Sequence, residues 1–254
     1  MPGRPHVLEE STWKAVSRKR FEVAILPWGA TEAHNLHLPY GTDNYESGWV
    51  AAESARLATE SGAGVIVLPT VPFGVNTGQL DIALCMNMNP STQALVLADI
   101  VRSLEVQGIH KLVIVNSHGG NDFRQMIREL QPMSKVFVST VNWWQVVDAK
   151  PYFDSPGDHA GELETSVMMF IAPGLCLPLS EAGEGRARGF RIAGLRDGTA
   201  WAPRKWTQVT DDTGSGDPAR SSPEKGEKFL NAVTRRIAAY LVDLDAADLE
   251  TLYE

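Results

Sequence analysis

Cysteine is nearly missing from this chain. Cys85 and Cys176 are the only two in 254 residues, too few and too far apart for a disulfide framework or a thiolate zinc site. Basic residues are in the minority: 23 Lys+Arg stand against 31 Asp+Glu, for a formal charge of −8. That balance argues against a nucleic-acid or anionic-membrane surface, since both need clustered Lys and Arg. No run of about 18 apolar residues occurs, and the opening MPGRPHVLEEST carries no apolar stretch of the secretory kind. A soluble, cytoplasmic protein is expected. Neither Cys sits beside a His and no Gly-x-Ser-x-Gly elbow is present, which disfavours a Ser or Cys hydrolase. Internal repeats and low-complexity tracts are also missing.

Short apolar runs are abundant. Residues 22–27, 65–69, 111–116 and 135–140 read as strands buried on both faces of a largely parallel sheet. Helices are expected at 44–60, 90–107, 122–131, 160–171 and 224–242. Asn89 is the expected N-cap of the second, with Pro90 at its first position and Gly108 just past its end. Strand and helix in alternation predict an α/β doubly wound layer sandwich. The stretch 181–221 lacks periodicity and reads as a loop-rich excursion, a type of segment that often carries function.

Four of the six His fall in three segments. Glu32, His34, His37 and Asp43 follow the first strand, where open α/β sheets place ligands. Nitrogen and oxygen donors so close together suit Zn²⁺, Mn²⁺ or Fe²⁺, and a carboxylate such as Asp43 can bridge two ions. The plainer alternative is a His-rich surface loop. His118, Gly119, Gly120 and Asn121 turn the chain after the 111–116 strand, where the glycines let backbone N–H groups approach a ligand. Alone, that turn could be a tight strand-to-helix corner with an incidental His. His159 precedes a helix and can face a cleft as acid or base, or simply cap the helix. On that helix Glu164 shares a face with Val167, Met168 and Ile171, so it needs a partner and is the expected ligand or network member. Glu162 lies on the more polar stripe and is expected to be solvated, so that Glu162→Gln should be mild. His6 and His110 receive no role.

Together these segments resemble the creatininase (creatinine amidohydrolase) family. The resemblance rests on Pro27-Trp28-Gly29-Ala30-Thr31-Glu32-Ala33-His34-Asn35-Leu36-His37 with Asp43, on Asn116 to Asn121, and on His159-Ala160-Gly161 with Glu164-Thr165-Ser166, in the family's order over about 22–170. It implies a single creatininase-like domain over 1–254, a three-layer α/β/α sandwich, with two divalent metal ions. Zn²⁺ is the first expectation, with Mn²⁺ or Fe²⁺ as alternatives. By the resemblance Glu32, Asp43 and His118 hold one metal, while His34 and Asp43 hold the other. Creatininase has a Glu two residues after the turn His; here Gly120 stands there, and Glu164 is the expected replacement.

The implied activity is hydrolysis of a non-peptide amide C–N bond, cyclic or formyl, in a small polar substrate by metal-activated water, with His159 as proton donor to the leaving group. Ring-opening at a C–C bond of a keto-inositol or keto-sugar and a catalytically silent binding protein are the alternatives. His37, Asn76, Gln79, Gly119, Gly120 and Asn121 are expected at the substrate. Trp143 and Trp144 either wall the pocket or pack in the core. Arg186, Arg188 and Arg191 either meet an anionic substrate or a neighbouring subunit or form a solvated face. The family also implies a homohexamer.

Overall fold

The computed structural model describes residues 3–253. Four strands form a wholly parallel sheet in the order β2-β1-β3-β4: β1 is Val23–Trp28, β2 Val65–Val67, β3 Lys111–Asn116 and β4 Phe137–Asn142. Side chains alternate across a strand, and each face finds its own helical layer. Val23, Ile25, Val65, Val67, Val113 and Val115 point into one core; Ala24, Leu26, Ile66, Leu112 and Ile114 point into the other. The first core is closed by α1 (Thr42–Glu60), α4 (Glu162–Ile171) and α5 (Pro223–Ala246). The second is closed by α2 (Pro90–Val106) and α3 (Arg124–Leu130). This is the expected α/β architecture with helices on both sides of the sheet. No single helix is long and apolar enough to cross a membrane among the described residues.

Strand boundaries differ from the apolar runs where pairing overrides composition. β1 runs through Pro27 to Trp28 because β2 has already ended, so the missing proline N–H interrupts no ladder; the Pro27 carbonyl accepts from Val71 N at 3.0 Å. β4 starts two residues later than its apolar run because Lys111 of β3 pairs with Phe137. Asn89 precedes α2 as expected, but its side chain accepts from Asn87 Nδ2 (2.8 Å) and does not cap the helix. α5 extends to Ala246, and Lys111 Nζ reaches back to the carbonyls of Asp245 (2.9 Å) and Ala247 (2.8 Å), satisfying acceptors at the helix end.

From β1 the chain crosses one way to β2 and then the other way to β3. The carboxyl ends of β1 and β3 therefore diverge into loops on either side of a topological switch point, the usual ligand crevice of such sheets. Trp28 and Asn116 pair there as the last residues of both strands. The segments after them carry Glu32 to Asp43 and His118.

Candidate metal centre

Three groups of ligand atoms converge at this crevice, each with its atoms within 4.8 Å of one another: Glu32, Asp43 and His118; His34, Asp43 and Glu164; and Glu32, His34 and His159. Asp43 belongs to two of them. It sits in the first turn of α1, while Glu164 comes from the first turn of α4. His118 is set by Asn116, whose side chain accepts from His118 N (3.1 Å) and donates to the His118 carbonyl (3.0 Å). Glu164 is held by the Ala160 N–H.

The imidazoles share one design. His34 Nδ1 meets the Glu32 carbonyl (3.1 Å), His118 Nε2 the Val75 carbonyl (3.1 Å) and His159 Nε2 the Ala33 carbonyl (2.8 Å). A carbonyl can only accept, so the proton sits on those nitrogens and the other nitrogen of each ring is left with a lone pair. Those free nitrogens face carboxylates: His34 Nε2 is 3.2 Å from Asp43 Oδ1, His118 Nδ1 is 2.9 Å from Glu32 Oε1 and 3.2 Å from Asp43 Oδ2, and His159 Nδ1 is 3.8 Å from Glu32 Oε1. His34 Nε2 and Asp43 Oδ2 are buried without a hydrogen-bond partner. Acceptors aimed at acceptors require protons or a cation between them. One ring N–H on a carbonyl and the other nitrogen aimed inward is the orientation of a metal-ligating His, so the residues present fit a divalent ion.

The electrostatics follow from burial and crowding. Burial alone lowers His34 and His118, yet neighbouring carboxylates reverse it: Asp43 lifts His34 to about 9, and Glu32 and Asp43 lift His118 well above the ordinary value. Burial likewise pushes Glu32 and Asp43 up, but His118 and His159 beside Glu32, and His34 and His118 beside Asp43, hold both carboxyls below the ordinary range. Burial raises Glu164.

A cavity of about 360 Å³ opens over the cluster, lined in part by Glu32, Asp43, His118, His159 and Glu164. Gly119, Gly120, Asn76, Gln79 and Trp144 also line it. Asn76 Oδ1 is buried without a partner, whereas its Nδ2 donates to the Met86 carbonyl (3.1 Å). Gln79 Nε2 donates to Glu32 Oε2, so its side chain orients a candidate ligand. Gly120 leaves no room for the family's Glu: a Cβ there would stand 2.3 Å from the Val75 carbonyl that holds His118.

Other expected residues lie elsewhere. His37 is not at the cavity: its Nε2 pairs with Thr165 Oγ1 (3.0 Å), and burial drives its pKa down to about 4. Asn121 is buried in the turn, where its Oδ1 accepts from Val75 N (3.1 Å) and Gln93 Nε2 (2.8 Å). Trp143 is a core residue; it packs on Phe229 and donates to Ser117 Oγ (2.8 Å). Glu162 is 1% exposed, not solvated, and pairs with Lys225. The polar stripe of α4 faces the start of α5, which the helical phase of α4 by itself does not reveal. Arg186 and Arg188 pair at the surface with Glu184 and Asp211, and neither they nor Arg191 line the cavity.

The loop-rich stretch 181–221 instead sends Trp201, Arg204 and Trp206 to the cavity. It is tied down at the motif itself. Asn35 exchanges hydrogen bonds with Gly183 (3.1 and 2.8 Å), and Ser215 pairs with His159 through both backbone groups (2.8 and 3.0 Å). Nothing in the local pattern of this stretch distinguishes these residues from its other Trp and Arg.

Comparison with known proteins places the chain in a family. The family model described as creatinine amidohydrolase matches residues 9–241. A solved Bacteroides fragilis NCTC 9343 protein, assigned provisionally as a creatinine amidohydrolase, is 42% identical, covers 99% of each chain and superposes with a TM-score of 0.93. A manganese creatininase structure is 21% identical over 95% of this chain and 99% of its own, with a TM-score of 0.75. The mycofactocin precursor peptide peptidase of Mycobacterium ulcerans (strain Agy99) is 27% identical over 92% of this chain and 83% of its own.

Proposed function

This chain belongs to the creatininase family, and from that premise we propose that it is a metal-dependent hydrolase cleaving an amide C–N bond of a small polar substrate. The observation that carries the reading is the shared orientation of His34, His118 and His159, each with one nitrogen on a carbonyl and the other turned toward carboxylates. Glu32, Asp43 and His118 would hold one divalent ion, and His34, Asp43 and Glu164 a second, with Asp43 shared. Bound there, such ions supply Lewis acidity, which makes water nucleophilic near neutral pH and polarises a carbonyl. Zn²⁺ leads the expectation, and Mn²⁺ or Fe²⁺ also suits these donors; solved creatininases are described in manganese and zinc forms.

The remaining roles belong to the chain. His159 keeps Nε2–H on the Ala33 carbonyl, so Nδ1 is the atom that takes and returns a proton at the leaving nitrogen. The unpartnered Asn76 Oδ1 and the Gly119–Gly120 backbone orient the substrate. The 27% likeness to a peptidase across most of this chain supports peptide amides as well as non-peptide ones among its substrates. Release of an amine or formate would distinguish this chemistry from C–C ring opening of a keto-inositol. Assembly as a homohexamer in the cytoplasm completes the proposal, and light scattering checks the assembly.

The test is metal analysis of the loaded protein. About two ions per chain are expected, with about one after Glu164→Gln and a near-complete loss after Asp43→Ala. Hydrolysis of a panel of cyclic amides and short peptides should stop on chelation and return on reloading. Less than one ion per chain in the loaded wild type would sink the reading, and would leave a silent protein on the same fold.

A further inference from the structure

The cavity wall is acidic near the candidate metal cluster, with Glu32, Asp43, Asp158 and Glu164 among its residues, and Arg204 is the only Lys or Arg among the described residues that line it. Three features make Arg204 more than a surface cation. Its guanidinium carbon lies over the Trp206 ring, 4.5 Å from the centroid, within cation–π range. Trp206 is 5% exposed and meets the His159 ring edge-on, with centroids 5.3 Å apart. Arg204 is therefore one aromatic ring away from the proposed proton-transfer group. Its backbone is also fixed, because it packs so closely on Gly78 that a Cβ there would stand 2.1 Å from the Arg204 carbonyl, and Thr207 Oγ1 donates to Asp81 Oδ2 (2.8 Å).

The fork is only partly used. Among the described residues the Arg204 side chain makes one hydrogen bond, from Nη1 to Asp158 Oδ2 at 2.6 Å. Both partners are about half exposed, and ion pairs of that kind are weak and exchangeable. A guanidinium presents parallel donors matched to a planar carboxylate, and the Asp158 carboxylate already sits there as an internal substitute. Trp201, on the same cavity wall, is 86% exposed and presents an open indole surface.

We propose that Arg204, with Trp201 and Trp206, forms an outer subsite that binds a carboxylate carried by the amide substrate next to an apolar group, with Asp158 giving way to it. Arg204 is thus a specificity-determining residue. This rests on the hydrolase reading for the word substrate, while the subsite itself does not depend on metal.

Isothermal titration of the metal-loaded protein with 3-phenylpropionate and with 3-phenylpropanol tests it, since neither contains an amide to be turned over. Arg204→Gln should weaken the acid about tenfold and leave the alcohol unchanged; Arg204→Lys, a point charge without the fork, should fall between. Asp158→Asn should tighten the acid by removing its competitor. Equal weakening of both probes by Arg204→Gln, no weakening of either, or no measurable binding of the acid to wild type would overturn the subsite. Metal content is measured on the same samples. A protein without metal that keeps the Arg204-dependent preference would defeat the hydrolase reading and spare the subsite; full metal content without the preference would do the reverse.

Discussion

Replacing Glu162 by Gln should weaken the fold and leave the metal cluster intact. The Glu162 carboxylate is buried; it accepts from Ser155 N at 2.8 Å and from Lys225 Nζ. Glutamine preserves the shape, and its amide oxygen can still serve Ser155. What goes is a charge-assisted hydrogen bond, a class worth about 1.5–3 kcal/mol. Against that full loss, the Lys225 side chain is 30% exposed and already touches Asp154 (3.2 Å) and the Arg220 carbonyl (3.1 Å). It can turn to them and to water, so no charge is stranded. The net cost is about 1–2 kcal/mol. For a chain of this size that lowers Tm by roughly 3–6 °C. Urea unfolding followed by tryptophan fluorescence and circular dichroism measures it, with metal content determined on the same samples. Lys225→Met and the double variant complete a cycle, in which the double variant should cost less than the two singles together. An unchanged midpoint for Glu162→Gln would refute the buried pair. Loss of metal would show that Glu162 serves the ligands, against the assignment of that role to Glu164.

Two glycines give further checks. Gly226→Ala would gain up to about 1 kcal/mol in an isolated helix, but here its Cβ would stand 2.2 Å from the Ser166 carbonyl where α4 and α5 meet. Overpacking should dominate and cost about 1–3 kcal/mol net; a raised Tm by calorimetry would contradict the close approach. Gly78→Ala should push the Arg204 segment off the loop at Thr77–Gln79. Limited proteolysis within 196–205 should then speed up while the midpoint of global unfolding moves little, and an unchanged cleavage rate would contradict the clamp.

The helical face of α4 shows where sequence reasoning failed. Phase correctly separates Glu162 from Glu164, but it cannot say what packs on each side. The apolar neighbours of Glu164 suggested burial, and its side chain is near His34 and Asp43. The polar neighbours of Glu162 suggest water, yet Thr165 and Ser166 are fully buried beside it, because His37 pairs with Thr165 and the start of α5 lies against Ser166. Ser222 N donates to Ser166 Oγ (3.1 Å) and Lys225 supplies the counter-charge. His37 and Asn121 repeat the pattern: each is a polar residue in a motif, and each is committed to holding protein groups.

Apolar runs were enough to indicate the parallel sheet with helices on both faces, because strands covered on both sides are mostly apolar on both; β4, at the sheet edge, is instead only half-buried and carries Ser139 and Thr140. The sequence order of the motifs was enough to bring Glu32, His34, Asp43, His118 and His159 to one edge, because strand ends in a parallel sheet share an edge. Only the tertiary structure decided which nitrogen of each His is free, since that depends on carbonyls supplied by Glu32, Val75 and Ala33. It alone selected Arg204 over Arg186, Arg188 and Arg191 as the arginine at the cavity. In an aperiodic stretch such as 181–221, the position of a side chain is set by distant anchors such as Asn35 and Ser215, and no local pattern of residues encodes those.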